Sequence, residues 1–135
     1  MNIIVICTGN SCRSQMMHGY LEAFLPQHSI YSAGVETHGL NKKAVAIMQK
    51  DGLDISSNSS NHIDEYTDIE FDHIITVCDH AKESCPVFPK KAAQHHYSFE
   101  DPSKLEATET EITQEFTRIR NQIKAFAKGF SCGIA

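Results

Sequence analysis

Apolar residues along this chain fall into short continuous runs that alternate with helically spaced ones. Ile3 to Ile6 is β-branched throughout, and Asp72 to Val77 (Asp-His-Ile-Ile-Thr-Val) has an unbroken apolar centre. Continuous rather than alternating apolarity predicts strands covered on both faces. Two weaker strands are expected at about Ser29 to Ser32 and Gln94 to Ser98. Ser14 to Leu25 places Met16, Met17, Tyr20, Leu21 and Phe24 at helical spacing and stops at Pro26. Asn41 to Lys50 does the same with Ala44, Val45, Ile47 and Met48, and stops at Gly52. Ile112, Phe116, Ile119, Ile123 and Phe126 form one stripe of a last helix, with Gly129 as its expected stop. Ser56 to Asn61 is polar and reads as a loop or cap. Strand and helix alternate, which predicts an α/β fold with an open, mostly parallel sheet.

Composition narrows the class. With 135 residues, 41% hydrophobic and 21% charged, the chain is expected to form one domain over residues 1–135, and a disordered tail, a collagen-like repeat and a coiled coil are excluded. No apolar run approaches the roughly 20 residues a membrane span needs. Asn2 to Cys7 is too short for a secretory signal and lacks a basic lead. Net charge is −5, without a Lys/Arg stripe, so neither nucleic acid nor a membrane surface is an expected partner. The five cysteines (Cys7, Cys12, Cys78, Cys85 and Cys132) are odd in number and carry no export signal. A cytoplasmic protein is expected, with cysteines that are catalytic, metal-bound or buried rather than a disulfide framework.

Ligands of such sheets bind beyond the carboxyl ends of the strands. Cys7, Cys78 and Asp101 follow the first, third and fourth strands, so the topology gathers them on one edge. The run Cys7-Thr8-Gly9-Asn10-Ser11-Cys12-Arg13-Ser14 passes from a strand end into a helix start. Its backbone N–H groups and the helix N-terminus suit a tetrahedral oxyanion. Gly9 and Asn10 let the loop curl, and Arg13 offers a planar fork for two anion oxygens. The same positive surroundings favour thiolate at Cys7, from a free value of about 8.5 towards ~4–7. A Cys-x5-Arg spacing alone is a weak signal, and an inert Cys7 with a solvated Arg13 is the bland alternative. Asp101-Pro102 reads equally as a general acid or as a plain turn.

These residues give the chain a specific likeness. With Tyr31-Ser-Ala-Gly34, Glu36-Thr-His-Gly39, Asp54-Ile-Ser56, Val77-Cys78, Cys85-Pro86 and Asp101-Pro102, it resembles the low-molecular-weight tyrosine phosphatase superfamily over nearly its whole length. Within that superfamily it is similar to the thioredoxin-coupled arsenate reductases. The resemblance implies a four-stranded parallel sheet flanked by helices, an oxyanion loop over Thr8 to Ser14, Cys7 as nucleophile, Arg13 as clamp and Asp101 as general acid. It also implies arsenate as substrate, with phosphate or sulfate as analogues, thioredoxin as electron donor, a monomer and no organic cofactor. In the implied relay Cys7 attacks arsenate, Cys78 attacks Cys7 as arsenite leaves, and Cys85 then takes over the disulfide.

The alternatives differ in what they ask of Cys78 and Cys85. A phosphatase acting on phosphotyrosine or small phosphate esters needs only Cys7, Arg13 and Asp101, and a non-catalytic oxyanion or redox sensor needs no turnover at all. A metal site of Cys78, His80 and Cys85 lacks a fourth ligand and a tighter pairing. Residues seven apart on a helix lie about 10 Å apart, whereas a disulfide tolerates Cα atoms up to about 7 Å apart. A helix from Asp79 to Ser84 would therefore unwind when Cys78 and Cys85 join. Some superfamily members hold potassium with Asn, Glu, Ser and Asp; the matching residues are Asn10, His18, Ser32 and Asn61, and the loss of both carboxylates argues against the site. His18 would bring a pH-dependent charge instead. Ser103 and Lys104 follow Asp101-Pro102 where many phosphatases have tyrosines, which favours a small inorganic oxyanion. Cys12 is expected to pack or to protect Cys7, Cys132 to lie in a tail, and His95 and His96 to sit at the surface on opposite faces of a strand.

Overall fold

The structure is a computed structural model that describes residues 1–79, 81 and 91–134. Four parallel strands form one sheet in the order β2-β1-β3-β4: β1 is Asn2–Cys7, β2 Ser29–Gly34, β3 His73–Thr76 and β4 Ala93–His96. Among the described residues three helices flank it, α1 (Arg13–Phe24), α2 (Lys42–Lys50) and α3 (Glu109–Ile134). The expected fold class is the observed one. β1 and β3 supply Ile3, Ile4, Val5, Ile6, Ile74 and Ile75, all buried, as their unbroken apolarity requires. Central β1 pairs on both sides, which fixes the position of Cys7 at its carboxyl end.

The helices close the two faces. α1 buries Met16, Met17, Tyr20 and Leu21, and α3 lays Phe116, Ile119, Ile123 and Ala127 into the core. Asn41 caps α2, its side chain accepting from the N–H groups of Lys43 and Ala44. Gly52, at φ +81°, follows α2 in the left-handed conformation that ends helices.

Three expectations are corrected. β2 runs on to Gly34, because Ala33 and Gly34 continue the pairing with Ile6 and Cys7. β4 begins at Ala93 and ends at His96; Tyr97 and Phe99 still donate to the carbonyls of Thr76 and Val77, but outside regular ladder geometry. Gly129 does not stop the last helix, which continues to Ile134 and carries Cys132. Packing overrides the glycine here. Phe130 lies edge-on to the His73 and His95 rings, and buried Ser131 donates to the Ala127 carbonyl. Cys85 and most of the segment between Asp79 and β4 lie outside the described residues, as does the expected helix over 79–84.

Candidate active site

The loop after β1 turns its carbonyls outward. Backbone N–H groups of Val35, Glu36, His38 and Asn41 donate to the carbonyls of Cys7, Thr8, Gly9 and Ser11. Ser60 adds its hydroxyl to the Gly9 carbonyl. With these oxygens engaged on the outside, the loop offers its N–H groups to the cavity it encloses, as an anion cradle requires. Asn10 adopts φ 47°, the left-handed turn that Asn tolerates best after Gly. Its side chain is fully buried, accepting from Ser14 Oγ and Gln15 Nε2 and donating to the Ser32 carbonyl. Asn10 and Ser14 thus shape the loop with their side chains instead of lining the cavity.

A cavity of about 160 Å³ lies inside the loop, lined by Cys7, Thr8, Gly9, Ser11, Cys12, Arg13, His38, Asp101, Ser103 and Lys104. No Phe, Tyr or Trp is among these described residues, and the volume suits a tetrahedral oxyanion. The Arg13 guanidinium donates to the Phe99 carbonyl at 3.0 Å and pairs with Asp101 at 3.5 Å. Asp101 is held by its own turn, accepting from the backbone N–H and hydroxyl of Ser103. The clamp and the carboxyl therefore enter the cavity as one unit.

The thiols carry the main electrostatic surprise. Cys7 and Cys78 are hydrogen-bonded to each other. That bond, then burial, pushes the Cys7 thiol up, against the pull of Arg13 and of the Thr8 backbone N–H. It draws Cys78 down to about 5, helped by the Thr8 hydroxyl (3.1 Å), the Ala81 backbone N–H and Arg13, and opposed by burial. Cys78 thus collects more donors than Cys7, which favours its anionic form. Burial, reinforced by Asp101, pushes Cys12 up to about 12, so it stays a protonated packing thiol.

Several contributors were not singled out in the sequence. His38 and Lys104 line the cavity, and the His38 ring leaves no room for a side chain at Gly9, where a Cβ would sit 2.3 Å from Nδ1. The polar run after Gly34 was the available signal. His95 and His96 are half-buried and partnered, not surface residues: His95 bonds His73 (3.0 Å), and His96 bonds Thr76 (2.7 Å) and Asp79 (3.0 Å). At the position matching potassium sites, Asn10 directs amide hydrogens at the Ser32 and Asn61 carbonyls, and His18 spans Ser32 Oγ and Glu22. N–H donors and an imidazole do not fit a hard cation. Burial lowers His18 below its ordinary value, with Glu22 opposing, which weakens the expected charge there.

Known proteins place this geometry. Arsenate reductases from Halalkalibacterium halodurans and Bacillus subtilis are 41% and 40% identical over 130 residues, covering 96% of this chain and 94% of each relative. A solved arsenate reductase in its phosphate-binding state superposes with a TM-score of 0.77 at 25% identity, over 99% of this chain and 98% of that one. A tyrosine phosphatase from Escherichia coli K30 in complex with sulphate shares the fold, with a TM-score of 0.77 at 20% identity over 99% and 98% of the two chains. The family model of the low molecular weight phosphotyrosine protein phosphatases matches residues 2–133, and the chain belongs to that family.

Proposed function

We propose that the chain reduces arsenate to arsenite by a thiol–disulfide relay. The observation that carries this reading is the second thiol hydrogen-bonded to Cys7 at the oxyanion cavity, which hydrolysis alone would not use. Cys7 passes its proton to Cys78 and attacks arsenic. An S–As bond forms, an As–O bond breaks, and Asp101 protonates the leaving oxygen so that water departs. Cys78, once deprotonated, attacks Cys7 Sγ; the S–S bond forms, the S–As bond breaks, and its electron pair stays on arsenic as arsenite leaves. Cys85 then attacks Cys78, and Cys7 is released as thiolate. The resulting Cys78–Cys85 disulfide takes two electrons from thioredoxin. Arg13 and the amides of Thr8 to Ser14 hold the oxyanion throughout. The names of the relatives support this assignment, and among the described residues no Phe, Tyr or Trp lines the cavity to stack on a phosphotyrosine. The reading includes a cytoplasmic monomer of one domain without organic cofactor. In the described residues no helix is long and apolar enough to cross a membrane.

The test is NADPH oxidation with arsenate, thioredoxin and thioredoxin reductase. Turnover in wild type, lost in Cys78→Ser and Cys85→Ser, supports the relay. Hydrolysis of an aryl phosphate that survives both substitutions, with no arsenate turnover in wild type, would make the chain a phosphatase.

A further inference from the structure

Asp79 directly follows Cys78, and an acidic side chain is a poor neighbour for a thiol that must ionise. Its carboxylate is nonetheless not among the strongest influences on Cys78, which besides burial are Cys7, Thr8, the Ala81 N–H and Arg13. The reason lies across the sheet edge. Asp79 Oδ1 is bound at 3.0 Å by His96 Nε2, and His96 is itself fixed at Nδ1 by Thr76 Oγ1 at 2.7 Å. Thr76 is buried at the end of β3, two residues before Cys78, and His96 ends β4 directly beside it. The chain Thr76–His96–Asp79 therefore ties the first residue after Cys78 to the sheet.

We propose that His96 is a positioning residue for the second nucleophile: by holding the Asp79 carboxylate it keeps negative charge off Cys78 Sγ. The hydrogen-bonding pattern restricts how it does so. An imidazole bonded at both nitrogens has a fixed tautomer and ring orientation. With Thr76 accepting or donating at Nδ1, the Nε2 edge is aimed at one point, and Asp79 occupies it. Without His96, the Asp79 carboxylate is free to rotate towards the thiolate one residue away. Its exposed setting keeps the effect modest, in the range of solvent-screened pairs. The proposal deepens the relay reading, on which it rests only for its effect on turnover; its effect on Cys78 ionisation stands separately.

The first experiment is therefore done without arsenate. Thiolate ultraviolet absorbance is titrated with pH, and the Cys78→Ser signal is subtracted to isolate Cys78. His96→Ala is expected to raise the Cys78 midpoint by up to about one pH unit, and His96→Gln, which keeps a donor for Asp79, to restore most of it. Asp79→Asn alone is expected to leave the midpoint at or below the wild-type value. The double variant His96→Ala/Asp79→Asn is expected to recover, because the offending charge is gone. Single-turnover formation of the Cys7–Cys78 disulfide is then expected to slow about three- to fivefold in His96→Ala. An unmoved midpoint in His96→Ala overturns the proposal, as does a double variant as impaired as the single one. If His96→Ala does not fold, a raised midpoint in Asp79→Asn overturns it equally. A failure of arsenate turnover in wild type counts against the relay and leaves the thiolate titration as the test of His96.

Discussion

The oxyanion loop and the β3–β4 edge meet at the same pair of thiols but are built on different principles. The loop is held by main chain: four carbonyls are bound from the 35–41 segment, and buried Asn10 spans the rest. The edge adds to its main-chain pairing a row of side-chain bonds, His73 to His95 and Thr76 to His96 to Asp79. Main-chain bonding fixes a shape independently of protonation. Side-chain bonding through imidazoles makes the arrangement sensitive to proton state and to single substitutions. The first suits binding an ion of fixed geometry. The second suits a thiol whose partners change during a disulfide relay.

Four substitutions test that contrast. Asn10→Ala should be the most damaging to stability, at about 3 kcal/mol, since it strands the buried Ser14 hydroxyl, removes one acceptor of Gln15 and the donor to the Ser32 carbonyl, and places Ala in a left-handed conformation. Chemical denaturation measures it, and a loss below 1 kcal/mol would show that the loop does not depend on that residue. Gly34→Ala should follow at about 2–3 kcal/mol. A Cβ there would meet the Glu36 carbonyl at 2.3 Å and the Asn10 nitrogen and Thr8 carbonyl at 2.8 Å, all main chain that cannot swing aside. By comparison Gly9→Ala meets only the half-exposed His38 ring, so it should cost about 1 kcal/mol. If the two glycine variants melt alike, the main-chain argument fails.

The smallest effect belongs to the edge and is read from pH. Burial holds His73 and His95 below the ordinary value of 6.5, and each charge would disfavour the other across 3.0 Å. Their neutral forms are bound in the fold, while the unfolded chain takes up protons first as pH falls. Stability is thus full above about 6.5 and declines as pH drops through that value towards the lower folded ones. His18 adds to the same trend, and so does Cys78, whose lowered thiol makes the fold bind fewer protons than the unfolded chain above about pH 5. The lowered Asp51 acts in the same sense but only near and below its ordinary 3.8, so it does not intervene. Thermal melts from about pH 7.5 to about pH 5 should show a falling melting temperature, and His95→Gln should flatten the slope. An unchanged slope would remove the histidine pair from the account.

The two halves were also unequally legible in the sequence. The loop could be read because its chemistry is local: a β-branched strand, Gly9, Asn10 and Arg13 stand within a few positions of one another. The edge could not, since His95 gains its meaning from His73 and Phe130, and His96 from Thr76 and Asp79, all distant in the chain or across the sheet. Gly129 misled for the same reason: its helix is carried onward by contacts of Phe130 and Ser131 that no local pattern contains. The hydrogen bond between Cys7 and Cys78 was hidden too, because the motif displays the donors around Cys7 but not those that converge on Cys78.

The outward-facing carbonyls of the loop have a consequence for selectivity. A cradle of main-chain amides and one guanidinium recognises charge and tetrahedral shape, and both are common to arsenate and phosphate. Such a surface has no means of preferring the rarer ion at the binding step. In a cell rich in phosphate the cavity would be filled by the wrong anion most of the time, and discrimination must fall to what happens next. A phosphorus centre can only be handed back to water, whereas an arsenic centre can accept an electron pair and leave reduced. Fidelity on this reading is a property of the chemistry of the element bound and of the thiol waiting beside it.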